Sequence, residues 1–453
     1  MTLTGSGATS SASGVSISGS TVTVTAAGTY RFTGSLTNGR IVVNSAGTGI
    51  VRLILNGVTI ANTTTAPLSV TAADEVMVVL ADGTTNRLTD PATYTTAVNP
   101  AAALSSAADL TITGNGSLAV TGNAADGIAS DDGLVIDSGT ITVTAKDDGV
   151  RGQDYILHTG GTLGVTADGD ALKSDEDADA TEGYVYLVGG ARTLTAPGGD
   201  GVSATTDVIV AGGSLTATTG GGSTTTPGTT STKGLKADVS VVISDGQVNL
   251  NASDDGINSN NLITVDGGAL TAASGDDAVH ANTALTISAG TVTVTRSYEG
   301  LEAMKTTLAQ RHDQRDGDRR RGERRGGGRR REAGSAERVH QGHRRDGHRQ
   351  RRHRRAGLQR HPCRLRRHGD RQRLADPRRR RGRPGLQRRA HDDRRLDPGD
   401  RHHGVDEHAA DQRPGLGRVL IQREPASSAR SCTWPPRRAR SWRRSRAPGC
   451  SRA

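Results

Sequence analysis

A motif made of an acidic residue, Gly or Ala, and an aliphatic residue recurs between residues 126 and 301. Copies are 22 residues apart except across two insertions. One insertion is the acidic run 175–179, and the other is the Gly/Ser/Thr-rich stretch 220–232, whose composition predicts a flexible surface loop. Because a repeating fold can bring such carboxylates together, they are the first candidates for chemistry. The acidic positions are Asp126, Asp148, Asp170, Asp200, Asp255, Asp277 and Glu299.

Stacked carboxylates predict a calcium site. Carboxylates one strand spacing apart, about 4.8 Å, repel one another and raise their pKa values. Ca²⁺ takes about six to eight oxygen ligands and removes this repulsion. The alternative is that each Asp-Gly only forms a turn, in which Asp caps backbone amides; we favour it for any single Asp, and calcium for the column as a whole. The candidate metal ligands are Asp147, Asp148, Asp154, Asp168, Asp170, Asp175, Asp177, Asp254, Asp255, Asp276 and Asp277.

A second column lies two residues after each small residue of the motif and contains Arg151, Lys173, Lys236 and His280. Arg151 and Lys173 fall in consecutive repeats, so they are expected to be neighbours. Two cations beside acidic turns suit a polyanion whose carboxylates are regularly spaced. The alternative is that they form ion pairs with Asp147, Asp148 and Asp170, which contribute little at a surface. The sequence leaves both interpretations open.

Aromatic residues are scarce in the repetitive part. Residues 1–309 contain no Trp, a single Phe and six Tyr, so no flat aromatic platform for crystalline sugar chains is expected. Tyr155 is a candidate for stacking on a sugar ring, and Tyr184, Tyr186 and Tyr298 are further candidates. No G-x-S-x-G motif, P-loop or zinc-ligand spacing is present.

The segments between the motifs predict the elements that position these residues. Stretches such as 290–295 alternate apolar and polar residues and are rich in Val and Thr, which is typical of strands. Short strands at a fixed period predict an all-β parallel β-helix solenoid with about 22 residues per coil over residues 14–309. We expect an N-terminal cap and first coils within 1–100 and regular coils over 101–309. No apolar run is long enough for a transmembrane helix.

The composition changes abruptly near residue 309. Residues 1–309 carry 12 basic and 30 acidic side chains, a net charge of −18, whereas residues 310–453 carry 45 and 17, a net charge of +28. The second part has no Lys and contains all three Cys. It lacks aliphatic periodicity, so it is predicted to be an unfolded Arg-rich segment.

The Arg-rich segment is interpreted as a shifted reading frame. If its arginines use CGN codons and reading starts one base later, residues 319–323 become D-D-G-V-N, which resembles 254–258, and 311–318 become the strand-like V-T-I-N-V-T-V-T. The alternative is a genuine basic arm that binds nucleic acid. In the shifted-frame interpretation, no nucleic-acid partner is expected.

The order of motifs resembles a bacterial family of extracellular carbohydrate-binding domains with a polysaccharide-lyase-like, right-handed parallel β-helix. The resemblance covers about residues 16–308 and rests on runs 81–90, 146–155, 170–175, 253–258 and 297–302. It implies calcium sites in the turns and affinity for cellulosic and acidic, pectin-like polysaccharides. It also implies export to the cell surface or beyond, although Met1 opens directly into Thr, Ser and Gly without a signal peptide.

The sequence therefore predicts a monomeric, non-catalytic β-helix that binds polysaccharide with Ca²⁺ as cofactor. Arg151, Lys173, Tyr155, Lys236 and His280 are the predicted substrate-binding residues. One alternative is pectate-lyase-like β-elimination on a polyuronate, with Lys173 as the base. Another is a structural or adhesive surface protein without glycan selectivity.

Overall fold

The structure is a computed structural model that describes residues 1–309 and the backbone of strand Gly417–Ile421. Residues 1–309 form only strands and connecting turns, with no helix among the described residues. Nearly all strand pairs are parallel and join a strand to its counterpart in the next coil. The predicted all-β parallel β-helix is confirmed. The described part contains no helix with the length and apolarity needed to cross a membrane.

Each coil contributes to three faces, which we name A, B and C in chain order. Face A carries the residues that follow the repeated acidic motif, for example Val150–Gly152 paired with Leu172–Ser174. Its strands are Thr21–Val24, Arg40–Asn44, Leu68–Ala72, Ala102–Ser106, Asp126–Ser130, Val150–Gly152, Leu172–Ser174, Val202–Ala204, Leu235–Ala237 and Ile257–Ser259, followed by the starts of Val279–Arg296 and Leu301–Leu308.

Face B follows face A after a short turn. Its strands are Glu75–Leu80, Asp109–Gly114, Leu134–Ile136, Tyr155–His158, Tyr184–Leu187, Asp207–Val210 and Ser240–Ile243. The strands Gly28–Leu36, Ile50–Ala61 and Leu262–Ser274 begin on face B and continue onto face C.

Face C completes the coil. Its own strands are Thr2–Gly5, Thr85–Thr89, Ser117–Gly122, Thr140–Ala145, Thr162–Ala167, Ala191–Ala196, Ser214–Thr219 and Gln247–Ala252. Two short strands lie at the N-terminal end. Ala8–Thr9 pairs antiparallel with Thr2–Leu3, and Val15–Ser18 pairs antiparallel with Thr21–Val24. No break in pairing occurs near residue 100, because Leu68–Val70 pairs with Leu104–Ser106.

Alternation along each strand builds the core. Successive side chains of a strand point to opposite faces, so Ile141 and Val143 are fully buried while Thr140, Thr142 and Thr144 are exposed. The motif needs a small residue at its second position because the backbone there lies very close to neighbouring atoms. A Cβ added at Gly127 or Gly149 would collide with the inward Val143 or Val165 and with the carbonyl of the next coil.

Both insertions form loops that project from the coil, and the second loop is hydrogen-bonded to later coils. Ser223 receives a 2.8 Å hydrogen bond from Arg296 Nε at its carbonyl, and its amide donates to Asn251 Oδ1 at 2.8 Å. The stretch predicted to be flexible therefore lies against later coils.

The predictions for residues 310–453 lie outside the described residues, apart from one strand. Gly417–Ile421 pairs antiparallel with Gly290–Val294 at the edge of face C. The sequence analysis did not predict this strand.

Candidate functional site

The acidic residues of the motif form a hydrogen-bonded column along face A. Asp126 Oδ1 accepts the backbone N–H of Asp148 at 3.1 Å, and Asp148 Oδ1 accepts that of Asp170 at 2.8 Å. Asp170 Oδ1 accepts the N–H of Asp200 at 2.7 Å. Each carboxylate thus caps an amide of the next coil. The amide-capping role considered in the sequence analysis is present at these positions.

The predicted substrate cations bind the second carboxylate oxygens of this column. Arg151 lies 3.5 Å from Asp126, 3.3 Å from Asp131 and 3.1 Å from Asp175, and 18% of its side chain is exposed. Lys173 Nζ lies 2.9 Å from Asp148 Oδ2 and 4.0 Å from Asp170. Arg151 and Lys173 are neighbours, as predicted, since they pair directly in adjacent strands. Both cations are held by acids of the protein itself.

Lys236 and His280 show the same arrangement further along the column. Lys236 Nζ lies 3.6 Å from Asp200. His280 Nδ1 lies 3.2 Å from Asp277 and 3.6 Å from Glu302. Lys233 takes the acidic slot of its own coil and lies 2.5 Å from Asp254 and 3.3 Å from Asp255.

Burial and mutual repulsion perturb the acids of the column. Burial, together with Asp148, raises the pKa of Asp126 to about 7, and burial with Asp200 raises that of Asp170 to about 6. The largest effect falls on Asp277, whose pKa is raised to about 9 by burial, a hydrogen bond with Glu302 and the charge of Asp255. These groups resist ionisation unless a cation compensates them.

Six of the eleven predicted metal ligands come together in compact groups. Within each group, one ligand atom per residue lies within 4.8 Å of the others. The groups are Asp126 with Asp147 and Asp148, Asp254 with Asp255 and Asp276, Asp255 with Asp277 and His280, and Asp277 with Glu299 and Glu302.

The other five predicted ligands do not join such a group among the described residues. Asp168 pairs with Lys146 at 2.7 Å on the surface, and Asp175 pairs with Arg151. Asp177 is exposed. Burial, together with Asp132, raises the pKa of Asp154 to about 7. Asp170 is occupied by the amide of Asp200.

The donor set of Asp277, Glu299 and Glu302, which we name the terminal acidic group, fits Ca²⁺ best. Calcium prefers oxygen ligands, and all three residues supply carboxylates. Lys233 contacts the group around Asp254, and Arg151 and Lys173 contact the group around Asp126. Among the described residues, no Lys or Arg forms an ion pair with the terminal acidic group, and the imidazole of His280 lies beside it. Neither Glu299 nor Glu302 was among the predicted ligands, although Glu299 belongs to the acidic column and Glu302 lies two residues after the small residue Gly300.

Tyr155 lies on face B, away from the acidic column. Its ring stacks on that of Tyr184 in the next coil, with centroids 5.5 Å apart and planes 13° from parallel. Burial raises the pKa of Tyr155, so its hydroxyl stays protonated. The structure therefore separates the predicted sugar-stacking residue from the predicted cations, because the two sets occupy different faces of the coil.

One polar pair inside the coil escaped sequence reasoning. Arg192 is 2% exposed and occupies the inward position between Leu163 and Leu215. Its Nε donates to His158 Nδ1 at 2.6 Å, and its other nitrogens reach the carbonyls of His158 and Gly189. The strand sequence Ala-Arg-Thr-Leu-Thr-Ala could have predicted the buried position of Arg192. Arg192 lies two residues before the inward Leu194, so both side chains point to the same side of the strand.

Three comparisons show which known proteins are similar to this chain. A profile of the family described as "Carbohydrate-binding domain-containing protein" matches residues 18–278. A protein of that description from Acetivibrio thermocellus is 39% identical over 136 residues, which are 29% of this chain and 48% of the relative. The match thus spans about half the relative's length. A solved structure described as the polysaccharide lyase-like protein from C. thermocellum, gadolinium derivative, shares 29% identity at a TM-score of 0.45, over 56% of this chain and 91% of that chain.

Proposed function

Because the chain belongs to the family of carbohydrate-binding domain-containing proteins, we propose that its β-helix binds polysaccharide without cleaving it and that Ca²⁺ supports the binding. The observation that carries this proposal is the extent of the family match, which covers the coils from residue 18 to residue 278. Extracellular or cell-surface localisation and a monomeric state remain predictions.

The calcium part of the proposal is supported by the terminal acidic group. Asp277, Glu299 and Glu302 would hold the ion, which would neutralise carboxylates that otherwise share protons. A bound Ca²⁺ would fix the last described coil against the coil before it, since Asp277 and Glu299 belong to consecutive coils. The ion would therefore act on the shape of the binding surface rather than as a reagent.

The ligand we favour is a cellulosic, uncharged chain rather than a pectin-like one. Arg151 and Lys173 are the cations predicted to meet uronate carboxylates, and both already pair with acids of the column. A polyuronate would have to displace those acids from a part of the chain whose net charge is −18. Repulsion therefore opposes an anionic ligand.

The lyase alternative gains no support from Lys173. Burial lowers the pKa of this amine, but the hydrogen bond and charge of Asp148 more than offset it, so the net pKa is raised. A lysine can act as the general base in β-elimination only in its unprotonated, neutral form. Lys173 paired with Asp148 is held in its protonated form.

The proposal is tested by depletion of the full-length protein from solution by insoluble cellulose and by immobilised polygalacturonate. Each is tested with Ca²⁺ and again with a calcium chelator. We expect depletion by cellulose that weakens after chelation and no release of unsaturated product from either polysaccharide. Absence of depletion by any glycan in a broad panel would contradict polysaccharide binding.

A further inference from the structure

The three faces of the coil present different chemistry to solvent. The outward positions of face A carry charged and polar residues such as Arg151, Lys173 and Glu302. Those of face C carry an in-register column of six threonines: Thr89, Thr121, Thr144, Thr166, Thr195 and Thr218. Face B differs from both, because one column of its outward positions is apolar over five consecutive coils.

The apolar residues of face B form a line along the helix axis. Pairing from strand to strand places Val135 beside Leu157 and Leu157 beside Tyr186. The same column continues through Ile209 to Val242. All five side chains are half-buried at outward positions. We name this column the apolar line; it is more than the isolated apolar residues that normally occur on a surface.

A cleft of about 200 Å³ opens beside the start of the apolar line. Glu75, Asp109, Thr111, Val135 and Tyr155 contribute to its lining. The ring of Tyr155 covers Gly133, where even a Cβ atom would collide with it. Gly133 also donates its backbone N–H to Asp109 Oδ1 at 3.2 Å. The cleft therefore spans four consecutive coils, from that of Glu75 to that of Tyr155, which supplies its aromatic wall.

The polar side chains of the cleft are two carboxyl groups, which accept hydrogen bonds when ionised, and two hydroxyl groups, which donate as well as accept. Among the described residues, the Glu75 carboxylate and the Thr111 hydroxyl have no hydrogen-bond partner in the protein. Among residues 1–309, no Lys, Arg or His contributes to the lining. Such a site favours a ligand that donates several hydroxyl hydrogens and disfavours one that carries carboxylates.

We propose that this cleft and the apolar line form a binding subsite for an uncharged polysaccharide chain that runs along the helix axis, with sugar rings against Val135 and Leu157 and with the edge of the Tyr155 ring as the wall of the cleft. The inference rests on the proposed function and deepens it by naming the face and the ligand class. Sugar rings offer an apolar C–H face to an aromatic ring or an aliphatic side chain, while their hydroxyls lie at the edge. Coils that repeat about every 4.8 Å offer such contacts repeatedly along an extended chain.

The test compares Tyr155→Ala and Glu75→Gln with the wild type in the full-length protein. The probe is a soluble neutral β-linked glucan in native affinity gels, and circular dichroism checks folding. We expect Tyr155→Ala to weaken binding about tenfold and Glu75→Gln about fivefold. Tyr155→Phe keeps the ring and should bind like the wild type. Thr166→Ala on face C is the matched control and should also leave binding unchanged.

The outcomes separate this inference from the proposed function. If the folded Tyr155→Ala and Glu75→Gln proteins bind the glucan like the wild type, the subsite is overturned while polysaccharide binding stands. If the wild type binds only polyuronate, the ligand class is overturned. If the wild type binds neither, the proposed function falls with it. Should Tyr155→Ala misfold, Glu75→Gln decides alone, because the Glu75 side chain has no partner whose loss would disturb the fold.

Discussion

Asp148 uses its two carboxylate oxygens for different purposes. Oδ1 accepts the backbone N–H of Asp170 at 2.8 Å, and Oδ2 binds Lys173 Nζ at 2.9 Å. The sequence predicted the column, the caps and the ion pairs as separate interpretations of the same residues. The sequence could not show which of these interactions each carboxylate makes. That depends on where the side chains point, and a 22-residue period carries no such information.

Asp148→Ala should destabilise the protein by about 2–3 kcal/mol, because it leaves the backbone N–H of Asp170 without its acceptor and removes the nearer of the two carboxylates beside Lys173. The measurement is urea unfolding. Asp168→Ala is the matched control: its ion pair with Lys146 joins side chains that are 60% and 65% exposed, so no measurable loss is expected. Equal losses for the two variants would contradict the capping role of the column.

The Arg192–His158 pair is a second residue-scale feature, and it lay beyond sequence reasoning. The two residues are 34 positions apart, and Arg192 also donates to the carbonyl of His158 at the end of a strand and to that of Gly189 in the following turn. Burial, followed by the charge of Arg192, lowers the pKa of His158 to about 4. Its Nε2 atom has no hydrogen-bond partner in the part of the chain that the structure describes. A neutral imidazole therefore belongs to the folded state.

His158→Leu should reduce the loss of stability on acidification. Between pH 6.5 and about 4, His158 is protonated in the unfolded chain but neutral in the folded chain. The free energy of unfolding therefore falls as the pH falls, by up to about 3 kcal/mol. Leu fits a column that contains Ile136 and Leu187. Urea unfolding of both proteins at pH 7.5 and 4.5 gives the comparison, in which acid effects of other residues cancel. Identical pH dependence would disprove this assignment of His158.

At the scale of elements, the sequence predicted more than at the scale of residues. The 22-residue period predicted the coils and placed Arg151 beside Lys173. The three faces and the cleft of face B were not predicted. Glu75, Asp109 and Tyr155 belong to three different coils, and Glu75 and Asp109 lie outside the acidic motif that drew attention to face A.

Ca²⁺ should stabilise the coil that ends the described helix through Asp277. Its pKa is raised to about 9, above the ordinary value, so the stability from the protonated form is lost as the pH rises towards 9. At pH 8 the wild type should therefore gain in Tm with added Ca²⁺. Asp277→Asn should show a higher Tm without calcium and a smaller gain with it.

Thermal unfolding at pH 8 with and without Ca²⁺ makes this comparison. Asp168→Asn removes an exposed carboxylate outside the compact groups and should keep the wild-type gain. If Asp277→Asn shows the same increase in Tm with Ca²⁺ as the wild type, the ion binds elsewhere.

At the scale of the whole molecule, the strand pairing at the edge of face C helps to interpret the Arg-rich segment. Strand Gly290–Val294 pairs with Gly417–Ile421 antiparallel, whereas the other face C strands in the coils pair in parallel. In a continued helix, the next face C strand would fall 22 residues after Thr291–Arg296, at 313–318. Reading one base later gives V-T-I-N-V-T-V-T over 311–318, which is a strand in that place. We therefore propose that residues 310–453 reflect a shifted frame.

Sequencing of the gene and its transcript across codons 300–330 tests the shifted frame. We expect an insertion or deletion of one or two bases whose repair restores Asp-Asp-Gly coils. A repaired chain should also unfold at a higher temperature, since its last coil would be covered by another. If the present frame is confirmed in the transcript, the Arg-rich segment is made as written, and its salt-dependent binding to nucleic acid becomes the question.

The central claim is that this β-helix binds an uncharged polysaccharide, and calorimetric titration with a soluble neutral glucan oligosaccharide tests it most directly. The calcium-loaded full-length protein is titrated at about 0.05 M and 0.5 M salt. We predict saturable heat with an affinity that hardly changes between the two salt concentrations, because screening acts only on charged partners. No heat with the glucan, together with salt-sensitive binding of a polyuronate, would contradict the account.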